Sequence, residues 1–243
     1  MIDRRGPRTG GLVAVLAHPD DESFSCAGTL ALAYDANRPA RLLVVTRGEA
    51  GGAEDMAVED TVTLRLDELR CAAAKIGLDE VTVLDGYPDG AVADQPFAAV
   101  VDEIADWLAD RRPDAVITFG AHGVTKHPDH VVTGSATRWA VERLAEEGRA
   151  PHAVYVIAPV FGPGVRRYDL SAEEGAATHR IDVTAVAGRK LGALACHASQ
   201  ADAAEEAATL RRILDEHGVL YEGFARVRPA VPNPHPKFDE RIV

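Results

Sequence analysis

Short apolar runs alternate with amphipathic stretches over most of the chain. Apolar runs rich in β-branched residues favour strands buried on both faces, and apolar positions three and four apart favour helices. Strand-like runs occupy residues 12–17, 41–46, 80–84, 115–119 and 153–157, and helical spacing occupies residues 27–34, 61–76, 97–110 and 127–147. This alternation predicts a single α/β domain, with a doubly wound, mainly parallel Rossmann-like sheet and helices on both faces.

The pattern changes in the last quarter of the chain. A short antiparallel strand at an edge of the sheet is predicted over residues 179–183, and helices are predicted over residues 185–198 and 201–217. Prolines recur in the last residues, and proline interrupts regular backbone hydrogen bonding. We therefore expect a flexible lead-in at residues 1–10, one domain at residues 11–226 and a proline-rich tail at residues 227–243.

Composition narrows the classes of partner and compartment. A net charge of −12 argues against nucleic acid and anionic membranes, because both select a basic surface. No apolar run approaches the roughly 20 residues of a membrane span, and the first residues lack the apolar stretch of a secretory signal. The three cysteines, Cys26, Cys71 and Cys196, lack regular spacing and favour packed thiols over a disulfide framework. We expect a cytoplasmic protein. The sequence does not decide between a monomer and a homo-oligomer.

Candidate chemistry begins where the first apolar run stops. The segment His18-Pro-Asp-Asp-Glu22 crowds one imidazole and three carboxylates between a buried strand and the next helix. In open α/β sheets ligands bind at the carboxyl ends of strands. A divalent metal would relieve the repulsion, with His18 and one aspartate as ligands and the other aspartate free to handle protons. The alternative is a solvated acidic turn, and physical reasoning alone does not separate Asp20 from Asp21.

A second histidine-bearing turn follows another predicted strand. His127-Pro-Asp-His130 comes after the run at residues 115–119 and a glycine-bearing loop. His127 and His130 are three apart, so at the start of a helix they can share one face. A single histidine is more often structural than a ligand. Two strand ends that each carry a His-Pro-Asp turn favour the metal site over the acidic turn.

These motifs resemble the LmbE-like (PIG-L) family of metal-dependent N-acetylglucosaminyl deacetylases. Ala17-His-Pro-Asp-Asp-Glu22 and His127-Pro-Asp-His130 carry most of the resemblance. Further pieces agree in order, namely Thr46-Arg-Gly-Glu-Ala-Gly51, Arg65-x-x-Glu68, Asp89-Gly90, Lys190 and His197-x-Ser-Gln200. The resemblance runs from about residue 11 to about residue 200, which is nearly the whole predicted domain.

The resemblance implies hydrolysis of an N-acetyl or other N-acyl group on a small amino-sugar conjugate. It implies one divalent metal, zinc or ferrous iron, held by His18, Asp21 and His130. Asp20 is then the general base. His127 stabilises the oxyanion or protonates the leaving amine.

Other residues receive supporting roles. Arg65 and Asp89 match positions that contact sugar hydroxyls in the family, although Arg65 could instead pair with Glu68 one helical turn on. Glu22, Asp129 and His197 are expected to support the site from behind the metal ligands. His122 matches no motif position and is predicted to be a loop residue.

Two departures from the family pattern limit the choice of substrate. Lys126 stands where glycine often precedes the first histidine of the second motif, and Ser25 stands where enzymes that cleave large mycothiol conjugates carry lysine. The conjugate-amidase branch is therefore disfavoured, while an amidase of a thiol or secondary-metabolite conjugate stays an alternative. A non-catalytic metal- or sugar-binding module is a second alternative. A nucleotide-binding dehydrogenase is excluded because no G-x-G-x-x-G follows the first strand.

Overall fold

The computed structural model describes residues 9–53, 55–160 and 168–228 of the chain. Seven strands form one mixed sheet in the order β3-β2-β1-β4-β5-β7-β6. The strands are β1 (Leu12–Leu16), β2 (Ala40–Val44), β3 (Glu80–Val83), β4 (Ala115–Thr118), β5 (Ala153–Ile157), β6 (His179–Asp182) and β7 (Tyr221–Arg228). Strands β1 to β5 run parallel to one another, so the predicted, mainly parallel α/β fold is confirmed.

Helices cover both faces of the sheet. They are α1 (Asp21–Ser25), α2 (Ala27–Asp35), α3 (Val58–Ile76), α4 (Phe97–Arg111), α5 (Pro128–Glu146), α6 (Ala187–Leu194) and α7 (Ala201–His217). Leu12, Ala14 and Leu16 of β1 pack in one core with α2, α3, α6 and α7, whereas Val13 and Val15 pack in a second core with α4 and α5. This two-sided burial explains why β1 is apolar throughout and does not alternate.

None of the helices within the described ranges combines the length and apolar character needed to cross a membrane.

The strand order reverses direction between β1 and β4. The chain moves outward from β1 to β2 and β3, then returns to place β4 on the other side of β1. Helices that leave such a pair of strands depart on opposite sides and open a crevice at the carboxyl ends. The turns after β1 and β4 carry the two His-Pro-Asp motifs, so the topology brings both motifs to one crevice.

The C-terminal part departs from the parallel pattern as predicted, with one strand more than expected. β6 is an edge strand and pairs antiparallel with β7, which pairs antiparallel with β5. β7 was missed because its sequence has no continuous apolar run. It continues through Arg228, two residues into the predicted tail. Residues 1–8 of the predicted lead-in and residues 229–243 of the predicted tail lie outside the described residues.

The prediction of packed thiols was wrong for two of the three cysteines. Cys71 and Cys196 form a disulfide with their Cα atoms 5.7 Å apart, and Cys26 is a buried free thiol. The pair joins α3 to the segment after α6 across 125 residues of sequence. Spacing rules read local motifs and do not detect a pair brought together by the fold. The cysteine argument for a reducing compartment therefore no longer holds.

A buried ion pair ties α6 to β7. Lys190 Nζ donates to Glu222 Oε1 at 2.7 Å and to the carbonyls of Ser23 and Phe24. Glu222 also accepts from the backbone N–H groups of Gly28 and Thr29 at the start of α2. The two charged side chains are each 3% exposed. This network anchors the short helix α1, which carries part of the first motif, because Lys190 donates to two of its carbonyls.

Replacing Lys190 with methionine is expected to lower the free energy of unfolding by about 3–5 kcal/mol, because Glu222 would keep a buried charge without its partner. Urea denaturation measures the change. Arg70→Met is the matched control, since Arg70 pairs with Asp67 on the exposed side of α3 and should cost no more than about 1 kcal/mol. Equal losses in the two variants would contradict a structural role for the buried pair.

Candidate metal and catalytic site

The first motif forms a tight turn at the end of β1. β1 ends at Leu16, Pro19 lies in the turn that follows, and α1 begins at Asp21. Asp20, between them, has φ 141° and ψ −28°, a conformation that costs a non-glycine residue about 1–3 kcal/mol. Such strain persists when surrounding contacts hold the residue, and it is often found at functional sites.

The second motif begins α5. Pro128 occupies the first turn, where its missing N–H costs no hydrogen bond, and His127 is the N-cap residue. His130 lies one turn into the helix and stacks on Phe119, with ring centroids 4.1 Å apart. Gly123 has φ 59° and passes so close that a Cβ there would lie 2.6 Å from the Cβ of His130. The glycine-bearing loop therefore closes over the histidine.

Hydrogen bonds fix the tautomers of the two predicted histidine ligands. His18 Nε2 lies 3.1 Å from Asp89 Oδ1 and 3.3 Å from Asp129 Oδ2, so that nitrogen carries a proton. His130 Nδ1 lies 2.9 Å from the carbonyl oxygen of Gly123 and must also be a donor. In the neutral rings, the lone pairs are therefore on His18 Nδ1 and His130 Nε2.

These lone-pair nitrogens and a carboxylate converge on one point. His18 Nδ1 and His130 Nε2 are 3.1 Å apart. Asp21 Oδ1 lies 3.2 Å from His130 Nε2, and Asp21 Oδ2 lies 3.6 Å from His18 Nδ1. Ligand atoms about 2.0–2.2 Å from a tetrahedral ion lie about 3.3–3.6 Å apart, so the donor set fits a divalent metal.

The charges around His18, His130 and Asp21 favour a cation at that point. Although burial acts to lower it, hydrogen bonds to Asp129 and Asp89 and the charge of Asp21 raise the pKa of His18 to about 10. Burial opposes ionisation of Asp21 too, yet the neighbouring His130 and His18 lower its pKa. In the metal-free chain a proton on His18 supplies the positive charge. A divalent ion would replace that proton, because metal ligands bind in their deprotonated forms.

Other donor combinations exist nearby. Ring nitrogens of His18, His127 and His130 lie within 4.8 Å of one another, as do donor atoms of His18, Asp89 and Asp129. The second set is explained by hydrogen bonds, since both carboxylates accept from His18 Nε2. Because of the first set, either His127 or Asp21 could be the third ligand. The metal content of variants at these two positions distinguishes the two assignments.

The carboxylate of Asp20 is held by Arg65. Its Oδ2 accepts from Arg65 Nη2 at 2.9 Å, and its backbone N–H donates to Glu22 Oε2 at 3.1 Å. Burial raises the pKa of Asp20 to about 7, helped by the charges of Asp21 and Glu22 and opposed by Arg65. A carboxylate with a pKa near neutrality is suited to accept and return a proton.

His127 has a defined neutral tautomer. Its Nδ1 accepts from the backbone N–H of Asp129 at 3.2 Å, so the proton of the neutral ring is on Nε2. Burial and the nearby charges of His18 and His130 lower the pKa of His127. At neutral pH the ring is therefore an uncharged donor. This state favours hydrogen bonding to a developing oxyanion over proton donation from an imidazolium.

Asp129 and Asp89 lie behind His18. Fully buried Asp129 accepts from the backbone N–H groups of Gly90 and Val92 at 2.7 and 3.1 Å, and so ties α5 to the loop after β3. Asp89 Oδ2 accepts from the N–H of Ala50 at 3.0 Å, while its Oδ1 meets His18. Asp89 is thus predicted to contact sugar but already supports a histidine in the structure.

Glu22 and His197 form a buried pair beneath the turn. His197 Nε2 lies 2.9 Å from Glu22 Oε1, and both side chains are inaccessible to solvent. Burial acts to lower the pKa of His197, but the charge and hydrogen bond of Glu22, together with the charge of Asp20, raise it. Because Glu22 Oε2 accepts from the N–H of Asp20, the pair supports the strained residue directly.

The remaining residues singled out in the sequence are Arg65, Glu68, Lys126 and His122. Arg65 is 3% exposed and its guanidinium faces the turn, and Glu68 accepts from Ser199 at 2.7 Å. Lys126 forms an exposed ion pair with Asp169, and the ring of His122 contacts the carbonyl of the same residue at 3.0 Å. The structure therefore gathers the predicted ligand, base and supporting residues, while Lys126 and His122 lie to the outside.

Comparisons with known proteins identify the family to which the chain is similar. Residues 13–141 match the PIG-L family, described as GlcNAc-PI de-N-acetylase. A probable N-acetyl-alpha-D-glucosaminyl L-malate deacetylase 2 of Bacillus cereus is 30% identical over 197 residues, which cover 79% of this chain and 84% of the relative. A 1D-myo-inositol 2-acetamido-2-deoxy-alpha-D-glucopyranoside deacetylase of Nakamurella multipartita is 30% identical over 233 residues, which cover 79% and 80%.

Solved structures share the fold at lower identity. N,N'-diacetylchitobiose deacetylase from Pyrococcus horikoshii superposes with a TM-score of 0.67 at 20% identity, over 88% of this chain and 82% of that one. The 4-carboxy-2-hydroxymuconate hydratase from Pseudomonas putida superposes with a TM-score of 0.70 at 21% identity, over 93% and 99%. These two likenesses concern architecture alone, and the evidence for kinship is the sequence match. The match over residues 13–141 includes the turn after β1 and the start of α5. The chain therefore belongs to the PIG-L family.

Proposed function

We propose that this protein is a metal-dependent hydrolase that removes an N-acetyl group from a small amino-sugar conjugate. The convergence of His18 Nδ1, His130 Nε2 and the Asp21 carboxylate carries the proposal, because these donor atoms lie at separations that suit a divalent cation. The names of the relatives support the substrate class, since both printed names describe deacetylation of an N-acetylglucosaminyl compound.

His18, Asp21 and His130 would hold one divalent metal. Two imidazoles and one carboxylate suit zinc, and ferrous iron accepts the same ligands. When bound, the ion would lower the pKa of a water molecule and polarise the acyl carbonyl. With three protein ligands, a tetrahedral site keeps a position open for that chemistry.

The protein's own groups would supply the proton transfers. Asp20, as the general base, accepts the proton that water loses as it attacks the carbonyl, and can return it to the leaving nitrogen. His127 donates from Nε2 to the oxygen on which negative charge develops. The amide C–N bond breaks, and acetate and the free amine leave in equal amounts.

The shared fold does not fix the reaction, since one structural neighbour is described as a hydratase. An assay of acetate and free amine, with a panel of N-acetylglucosaminyl conjugates and metal-loaded protein, tests the proposal. Equimolar acetate and amine are expected. Binding of a conjugate without acetate release would favour the non-catalytic module, and release of an amine with a larger acid would favour the amidase alternative.

Asp89→Ala tests recognition of the sugar. If Asp89 accepts from sugar hydroxyls, kcat/KM should fall by about 10- to 100-fold, because hydroxyls paired in the site lose their acceptor. Metal content should stay unchanged, since Asp129 still accepts from His18 Nε2. Elemental analysis and steady-state kinetics measure both. Loss of metal with unchanged KM would assign Asp89 to the support of His18.

A further inference from the structure

Arg65 lies under the loop that follows β2 and does not line the open crevice. Its Nη2 donates to the carbonyl oxygen of Pro19 at 2.5 Å and to Asp20 Oδ2 at 2.9 Å. A Cβ on Gly51 would lie 2.2 Å from Arg65 Nη1, and one on Gly48 would lie 3.3 Å from Arg65 Nε. The glycines thus let the loop cover the guanidinium. Arg65 is only 3% exposed, so little of its side chain is available to a ligand.

Arg65 contacts both the peptide before Asp20 and the Asp20 carboxylate, and Asp20 is the residue with the strained backbone. Pro19 and Asp20 are consecutive, so a single nitrogen holds the peptide before Asp20 and its carboxylate together. Glu22 holds the backbone N–H of Asp20. With φ at 141°, Asp20 would relax to a commoner conformation if these contacts were lost. Its carboxylate would then turn with the backbone.

We propose that Arg65 is a positioning residue, which holds the backbone and carboxylate of Asp20 in the orientation needed for proton transfer and does not bind the sugar. This rests on the proposed function, in which Asp20 is the general base. The alternative is the sugar contact that the family resemblance implies. The two roles differ in what they change, because a positioning residue acts on turnover through Asp20 and a substrate contact acts on binding.

The kinetic test is a double-mutant cycle. Arg65→Met should lower kcat by about 10- to 100-fold, as expected when a catalytic group is misplaced, with KM changed less than about twofold. The same change in an Asp20→Asn background should have no further effect on kcat, because the group it positions is already absent. Arg65→Lys should recover part of the loss, since the ammonium keeps a charged donor near Asp20.

Two controls guard the cycle. Arg70→Met removes an exposed arginine from the same helix and should leave kcat and KM unchanged. If Arg65→Met does not fold, Gly51→Ala replaces it, because the new Cβ would force the guanidinium aside without removing it. Gly51→Ala should lower kcat in the wild-type background and have no effect in Asp20→Asn. A rise in KM of similar size in both backgrounds, or an equal loss of kcat in both, would overturn the proposal.

A crystal structure of Arg65→Met tests the positioning without any assay of activity. The Asp20 backbone is expected to leave φ near 141° and its carboxylate to move. An Asp20 that superposes on the wild-type residue would overturn the proposal, even in a fully active enzyme. Absence of deacetylation by the wild-type protein would contradict the proposed function alone, and the crystal structure would still decide the role of Arg65.

Discussion

Replacing Asp20 with asparagine is expected to lower kcat by about 10²–10⁴-fold, the usual contribution of a general acid–base group. Asparagine nearly preserves the shape of the side chain but accepts no proton. Metal content should be unchanged, because Asp20 pairs with Arg65 and lies outside the converging donor atoms. Single-turnover kinetics with elemental analysis on the same sample measure both quantities. A variant that turns over at the wild-type rate with metal bound would contradict the mechanism and leave the fold untouched.

The pH dependence of kcat/KM tests the role of Asp20 independently. A general base must be deprotonated, so kcat/KM should fall as pH drops through the pKa of Asp20. Burial raises that pKa to about 7 in the metal-free chain, and the positive charge of a bound divalent ion would lower it again. The midpoint of the acidic limb is therefore expected at or below pH 7. That limb should be lost in Asp20→Asn, and an unchanged limb would assign it to another group.

Replacing His130 with alanine is expected to abolish both metal binding and activity. His130 supplies one of the two imidazole lone pairs that face each other 3.1 Å apart, and Phe119 and Gly123 lock its ring in place. Loss of a group that only supports a ligand costs about 10- to 100-fold in metal affinity, and loss of a ligand itself should cost more. Elemental analysis should find about one ion per chain in the wild type and almost none in the variant.

His127→Ala is the matched control, because His127 and His130 are neighbouring histidines of one helix turn. It should keep the metal and lose turnover if His127 stabilises the oxyanion. If His127→Ala loses the metal while Asp21→Ala keeps it, the three imidazoles are the ligands and the assignment of Asp21 is wrong. Full metal occupancy in His130→Ala would contradict the site as a whole.

The sheet and its helices could be predicted because their causes are local. Residues of β1 are buried on both faces, and a strand in that environment must be apolar at every position. The two His-Pro-Asp turns were visible because proline ends a strand and begins a helix in fixed positions. β7 escaped prediction because its pairing with β5 and β6 is non-local, and its own residues mix charged and apolar types.

The sequence also singled out the residues that the structure gathers at the site, through motifs whose residue types suit metal binding and proton transfer, and their roles stay predictions. The contacts between these residues could not be predicted from the sequence. Local sequence put Arg65 on a helix, but only the packing of that helix against the first turn aimed it at Asp20. Asp129 was expected to support the metal ligands, but only the reversal in strand order decided that it lies beside His18. The Cys71–Cys196 disulfide likewise exists because the fold brings α3 against the segment after α6. Periodicity and motifs report each segment's own environment, whereas contacts between distant segments arise only when the layers pack.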